Sequence, residues 1–307
     1  MSPGEYRGST GKVRSLKEVV ASIADGSHVA MGGFAIARNP IAFVHELIRQ
    51  NKRHLTVSQI IGGMDSDLLV GAGCVDELIY GGGSLDRFGR IDNINNAICT
   101  GSIRAHEYSA LSMTFRYLAG QLGLPFIPLT SMRGSDMYYD LIQRGELAEL
   151  DNPFDPSSKV LVAKPLVPDY TVIAVPIADC EGNVWINGPR WDVEAAKAAK
   201  HLIVLAEQVT EPEAAKRMAQ SVAIAGVCVE AVVHVPFCAY PTSMYGVYDY
   251  DPVHLKLYAE YSGKKEKFDE YLNNYVLSCK DHMEYLEKCG GLQKMVELRA
   301  DVVRGYS

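Results

Sequence analysis

The sequence has no CxxC pair, no surplus of basic charge and no long apolar run. Its seven cysteines (Cys74, Cys99, Cys180, Cys228, Cys238, Cys279 and Cys289) are scattered and odd in number. That spacing argues for reduced thiols and against a zinc knuckle or disulfide framework. No stretch approaches the roughly 18 apolar residues of a membrane span, and the opening MSPGEYRGSTGKVRS has no apolar signal core. A cytoplasmic protein with no membrane partner is expected. The 30 basic side chains are outnumbered by 37 acidic ones, for a formal charge of -7. No field is left to neutralise phosphates, which argues against nucleic acid as a partner. The G-x-G-x-x-G fingerprint after the first strand, the P-loop string, HExxH, the EF-hand pattern and the G-x-S-x-G elbow are all missing.

What is present is core material, with 48% hydrophobic residues in 307, enough for one large α/β domain or two ordinary ones. Residues 1–11 read as a loose tail rich in Gly and Ser. Apolar Leu16, Val19, Val20 and Ile23 then fall at helical spacing after the N-cap candidate Ser15, with Gly26 as the stop. HVAMGGF reads as a strand and a glycine turn, followed by a helix with its stripe at Ile41, Val44, Leu47 and Ile48. LTVSQI and ELIYGGG repeat the strand-then-glycine pattern around a short helix, DSDLLVGAG. The stretch from His106 to Gly123 reads as helical, and LPFIPLT as a strand between prolines. KVLVAKPL, YTVIAVPI, HLIVLAEQVT and AVVHVPF are β-branched runs, separated by a turn at ADCEGN and a helix at DVEAAKAAK. Apolar runs without alternation suggest strands buried on both faces. The expected fold is therefore an α/β domain over residues 12–307, an open, mostly parallel sheet flanked by helices, with a small accessory element near 130–160. The last 50 residues are charged, Tyr-rich and helical in pattern, a C-terminal helical arm that packs on its own domain or on another chain.

In such a sheet ligands collect at the carboxyl ends of the strands. Glycines stand at several of these ends: Gly32-Gly33, Gly62-Gly63, Gly81-Gly82-Gly83 and Gly134. Each pair has two readings, a tight turn or a backbone brought close to a ligand with its N–H groups turned inward. Arg38 offers a fork to a carboxylate or phosphate, or else makes a structural ion pair. Glu107 lies just ahead of an amphipathic helix, as a capping or surface acid or as a functional carboxylate. Gly134-Ser135 is a hydrogen-bonding corner or a plain loop turn. His28, His106 and His234 are spread without ligand spacing and read as structural.

The order of motifs is more specific than any one of them. Gly32-Gly33-Phe34 with Arg38-x-Pro40, then Leu124-Pro125-Phe126-x-Pro128 and Asp151-Asn152-Pro153-Phe154, resembles the alpha subunits of family I coenzyme A-transferases of the glutaconate type. Ala178-Asp179-x-x-Gly182-Asn183 is similar to a turn found widely in that family. Tyr245-Gly246-x-Tyr248-Asp249-Tyr250-Asp251 and Lys280-Asp281-His282-x-x-Tyr285-Leu286 resemble its C-terminal segment. The likeness runs from about residue 12 over nearly the whole chain. It implies a subunit that pairs with a homologous beta (B) chain, in an α2β2 or larger assembly, around a shared site. There a B-chain glutamate in a Ser-Glu-Asn-Gly-like setting carries CoA as a thioester. No such string occurs here. CoA is then a substrate, with no permanently bound cofactor and no metal. The positions expected to bind acyl-CoA or the carboxylic acid are Gly32, Gly33, Phe34, Arg38, Gly62, Gly63, Gly82, Ser84, Gly134 and Ser135. Ser84-Leu85-Asp86 and Ile103-Arg104-Ala105-His106-Glu107 instead resemble a relative that opens steroid-derived rings as a CoA-ester hydrolase. By that likeness Glu107 is a catalytic base, and hydrolysis or decarboxylation of a CoA ester is the second expectation. A noncatalytic α/β ligand-binding module is the third.

Overall fold

The computed structural model describes residues 11–215 and 222–301; the expected tail lies almost wholly outside them. Eleven strands are present among the described residues: β1 (His28–Met31), β2 (Leu55–Gln59), β3 (Val75–Tyr80), β4 (Arg104–Glu107), β5 (Ile127–Leu129), β6 (Leu147–Asp151), β7 (Lys159–Ala163), β8 (Tyr170–Asp179), β9 (Val184–Trp185), β10 (His201–Thr210) and β11 (Val229–His234). The helices of the first half are α1 (Leu16–Ala21), α2 (Ile41–Arg49), α3 (Met64–Gly71), α4 (Asp92–Thr100), α5 (Ala110–Leu122) and α6 (Asp136–Gln143). Those of the second half are α7 (Val193–Ala198), α8 (Pro212–Ala215), α9 (Pro252–Tyr261), α10 (Lys265–Leu272), α11 (His282–Lys288) and α12 (Gly291–Glu297).

The main sheet has the order β11-β10-β8-β1-β2-β3-β4, with β9 folded back on β8. Its ladders are parallel except for that hairpin. Strand direction and side-chain alternation place the layers. In β1, Val29 and Met31 join one core with α1 to α4 and the C-terminal helices, while Ala30 faces a second core with α5 and α7. Both faces are therefore covered, as the unbroken apolar runs of β8 and β10 require. The strand order reverses at β1, which has β2 on one side and β8 on the other. A crevice opens at such a switch point, beyond the carboxyl ends of the strands.

Local chemistry explains the element ends. Ser15 and Glu18 form a reciprocal capping box at α1. Gly101 and Gly123 end α4 and α5 in the left-handed conformation. Pro252 at the first turn of α9 follows Asp251, whose carboxylate accepts from the Val253 and His254 amides.

Two expectations need correction. The run from His106 does not begin as helix: residues 104–107 are strand β4, and α5 starts after the N-cap Ser109. LPFIPLT and KVLVAKPL supply strands, but not to the main sheet. They pair antiparallel as β5 and β7, with β6 on the other side of β7, in a separate three-stranded sheet. The C-terminal helices pack on their own domain: Tyr258, Phe268 and Tyr271 lie in the same core as Val44 and Leu68.

Asp67 of α3 ties these parts together. Fully buried, its carboxylate accepts from Tyr258 Oη (2.6 Å), Ser262 Oγ (2.7 Å), Asn93 Nδ2 (3.0 Å) and the Ile94 amide (3.0 Å). Removing it leaves four buried donors without their acceptor. Asp67→Ala should lower unfolding stability by about 3 kcal/mol, read from urea denaturation. A loss below about 1 kcal/mol would show that the carboxylate is not what joins α3, α4 and α9.

Candidate active site

Because β1 to β4 are parallel, the segments that follow them all open at one edge of the sheet. Gly32-Gly33 follows β1, Gly62-Gly63 lies beyond β2, Gly81 to Ser84 follow β3, and Glu107 ends β4. The loops are bonded into one ledge. The Gly62 amide donates to Gly82 O at 2.9 Å and the Ser84 amide to Gly62 O at 3.0 Å. Gln59 Nε2 donates to Gly32 O (3.0 Å) and to Asp65 Oδ2 (2.7 Å), while Asp65 Oδ1 accepts from the Gly63 amide at 3.1 Å. Burial pushes the Asp65 carboxyl above the usual range, against the hydrogen bonds that favour its ionised form.

Most of the glycines serve packing between loops. A Cβ on Gly63 would lie 1.9 Å from Ala35 O, and one on Gly33, whose φ is +83°, would lie 2.7 Å from Arg38 O. Neither position tolerates a side chain without moving backbone. Their N–H groups are also engaged: Gly32 on Val172 O, Gly33 on Asp192, Gly62 on Gly82 O, Gly63 on Asp65, and Gly81 on Ile60 O. Gly82 and Gly83 differ. Neither donates its N–H to another described residue; a Cβ on Gly82 would meet only Ile61 Cδ1, at 3.6 Å, whereas one on Gly83 would lie 2.2 Å from Ile91 Cδ1. The ledge thus offers adjacent amides at one place, after β3.

Arg38 is placed otherwise than as a ligand fork. It is fully buried in the crevice at the switch point, with φ +56°. Its guanidinium donates to Asp192 Oδ1 (2.7 Å), Ala174 O (3.1 Å) and Pro189 O (3.2 Å) and lies 5.4 Å from the Trp191 ring centroid. The ion-pair reading is the one the geometry supports, because nothing of Arg38 reaches the surface. Asp192 also takes the Gly33 amide at 3.3 Å. Phe34, at 36% exposure, rests 5.0 Å from Trp191 and stays at the surface of the ledge.

Ser84 stabilises its own turn, its Oγ accepting from the Asp86 amide at 2.8 Å. Ser135 caps α6, accepting from the Tyr138 amide, and Gly134 precedes it with φ +78° and open space around its Cβ position. Their loop abuts the start of α5, where Ser131 Oγ is 2.9 Å from Ser112 Oγ and the Ser109 amide is 3.4 Å from Met132 Sδ. Glu107, two residues before Ser109, is exposed, and its carboxylate has no hydrogen-bond partner among the described residues. It pairs in register with Tyr80, whose hydroxyl is pushed up to about 12 by burial and then by the Glu107 charge. On the other flank a cavity of 350 Å³ lies between Ala37, Asp86, Tyr245, Asp249 and Tyr250. Among the described residues no group of three or more His, Cys, Asp or Glu side chains is placed to hold a metal ion, and no helix is long and apolar enough to cross a membrane.

The coenzyme A transferase family model matches residues 13–235. The chain belongs to the coenzyme A transferase family. It is 34% identical to the A subunit of glutaconate CoA-transferase from Acidaminococcus fermentans, over 96% of this chain and 97% of that one. The crystal structure of that transferase superposes with a TM-score of 0.91, covering 96% of this chain and 98% of the other at 33% identity. The A subunit of 3-oxoadipate CoA-transferase from Pseudomonas knackmussii is 31% identical over 89% of this chain and 96% of its own. A cholesterol ring-cleaving hydrolase IpdA subunit from Rhodococcus jostii is 28% identical over 87% of this chain and 92% of its own. Within this family frame, sequence reasoning missed Gln59, Asp65 and Asp192. A Gln inside the apolar run LTVSQI was a visible anomaly, since a polar side chain there needs a buried partner. Asp192 read only as the start of a helix.

Removing one half of the buried pair strands the other. Arg38→Met should lower stability by about 3–5 kcal/mol, and adding Asp192→Leu should restore part of it, a coupling of about 1–3 kcal/mol. If Arg38→Met instead weakens kcat/KM with unfolding unchanged, the guanidinium contacts substrate.

Proposed function

We propose that this chain is the alpha (A) subunit of a two-chain CoA-transferase. It moves CoA between a short acyl or dicarboxylic acyl-CoA and an acceptor carboxylic acid, with a beta subunit supplying the nucleophilic glutamate. The observation that carries this reading is the end-to-end likeness to glutaconate CoA-transferase and its A subunit, at TM-score 0.91 with 96% and 98% of the two chains covered. The site agrees with a half-site role. Its ledge presents amides and a backbone-lined edge, while its buried acids, Asp65 and Asp192, are enclosed by their own partners.

The chemistry conserves the thioester's energy in covalent bonds. The partner's glutamate attacks the acyl thioester carbonyl, the C–S bond breaks, and a mixed anhydride and CoA thiolate result. The thiolate then attacks the glutamyl carbonyl, releasing the first carboxylate and leaving a glutamyl-CoA thioester. The acceptor carboxylate attacks that thioester, and the returning thiolate attacks the new acyl carbonyl, which frees the glutamate and forms the new acyl-CoA. Each tetrahedral intermediate places negative charge on an oxygen. The adjacent Gly82 and Gly83 N–H groups are donors of the kind that stabilise it.

One observation favours a second reading. Glu107 is exposed at the same edge, its carboxylate without a hydrogen-bond partner among the described residues, as a general base for hydrolytic C–C cleavage or decarboxylation of a CoA ester would be. Two outcomes separate the readings. Treating the two-chain complex with acyl-CoA and then borohydride should reduce a glutamyl thioester, and intact mass spectrometry should find the change on the partner alone. Modification of this chain, or turnover by it alone, would contradict the assignment. Under the transferase reading Glu107→Gln costs less than about tenfold in kcat; under the hydrolase or decarboxylase reading it costs on the order of 10²–10⁴, and acyl-CoA is consumed with no acceptor acid present.

A further inference from the structure

The motif Lys280-Asp281-His282 has no part in the ledge. It lines instead a cavity of 440 Å³, together with Lys17, Glu46 and Arg49. None of its lining residues belongs to the glycine loops.

The charges of this cavity do not cancel. Glu46 accepts from Arg49 Nε at 2.9 Å and from Gln50 Nε2 at 2.7 Å. Asp281 accepts from the Glu284 amide at 3.0 Å as the cap of α11. Both acids are thus engaged within the fold. On the basic side, the Arg49 side chain is only 10% exposed, yet its terminal nitrogens Nη1 and Nη2 have no hydrogen-bond partner among the described residues. The ammonium groups of Lys17 and Lys280 have none among the described residues either. A buried guanidinium with unused donors requires an acceptor, and its planar fork fits an oxyanion.

His282 narrows the class. Its Nε2 lies 3.0 Å from Phe237 O. A carbonyl only accepts, so Nε2 carries the proton and donates. Burial lowers His282 to about 4, so the ring is neutral at pH 7. Its Nδ1, also without a partner among the described residues, therefore presents a lone pair that calls for an O–H donor. Inorganic phosphate meets both demands, because at neutral pH it keeps a P–OH for His282 beside anionic oxygens for Arg49, whereas a monoester, with its second pKa at about 6, is mostly without one. A plain carboxylate has no O–H to give at neutral pH.

We propose that the cavity between α1, the end of α2 and the start of α11 binds inorganic phosphate, held by the Arg49 fork and by His282 Nδ1, with Lys17 and Lys280 at the rim. This site stands independently of the reaction proposed for the ledge. The test is calorimetric titration of the full chain, with its partner where the two copurify, using inorganic phosphate in a phosphate-free buffer without CoA. Wild type should bind saturably, and Arg49→Lys, which keeps the charge but loses the fork, should bind about tenfold more weakly or worse. The surface variant Lys17→Ala/Lys280→Ala, in which folding is not at risk, should also bind more weakly and with less salt dependence. Acyl-CoA turnover should stay at the wild-type level in both. Absence of saturable binding, binding unchanged in both variants, or acetate bound as tightly as phosphate would overturn the proposal.

Discussion

The ion pair between Arg38 and Asp192 is the constraint on which the ledge depends. It lies in the crevice where the strand order reverses, a place where a strand-end loop would otherwise have a gap to fall into. Two full charges buried together do not by themselves stabilise a fold, because desolvation opposes their attraction. What they provide here is position. Asp192 holds the Arg38 guanidinium and the Gly33 amide at once, and Arg38 reaches on to the carbonyls of Ala174 and Pro189. The loop after β1 is thereby fixed to β8 and to the segment before α7. Its far side is fixed by the exchange of bonds between Ile36, Arg38 and Ser243.

From that anchored loop the order spreads along the sheet edge. Gln59 binds Gly32 O and Asp65, Asp65 binds the Gly63 amide, and the Gly62 loop pairs with Gly82 and Ser84. Backbones approach closely at Gly33 and Gly63, where a Cβ would collide with a carbonyl. The amides of Gly82 and Gly83 are the ones left over when this bonding is complete. In a set of glycines that look alike in sequence, the bonding separates those whose N–H is engaged from Gly82 and Gly83, whose N–H is not, although Gly83 itself packs against Ile91.

This separation is why the fold was largely legible in the sequence and the site only partly so. Unbroken apolar runs mark strands covered on both faces, and Ser15, Gly101 and Gly123 mark helix ends by chemistry that acts within a few residues. Strand β4 was hidden because Arg104, Ala105, His106 and Glu107 have no β-branched residue, and the sheet edge asks for little apolar surface. β5 and β7 read correctly as strands, but local pattern does not say which sheet a strand joins. The glycines mark strand ends for the same local reason. Arg38 and Asp192 are 154 positions apart, so the choice between an ion pair and a ligand fork rested on a tertiary contact that no spacing announces.

In the proposed assembly the ledge of this chain is half of an acyl-CoA site, with the open amides after β3 turned to the reacting carbonyl. A crystal structure of the two-chain complex with a non-hydrolysable acyl-CoA analogue should place the analogue's carbonyl oxygen within about 3 Å of the Gly82 or Gly83 nitrogen, with Arg38 still paired to Asp192 and out of contact with the ligand. An analogue bound away from this edge, or an Arg38 that leaves Asp192 to hold the acyl or CoA moiety, would contradict it.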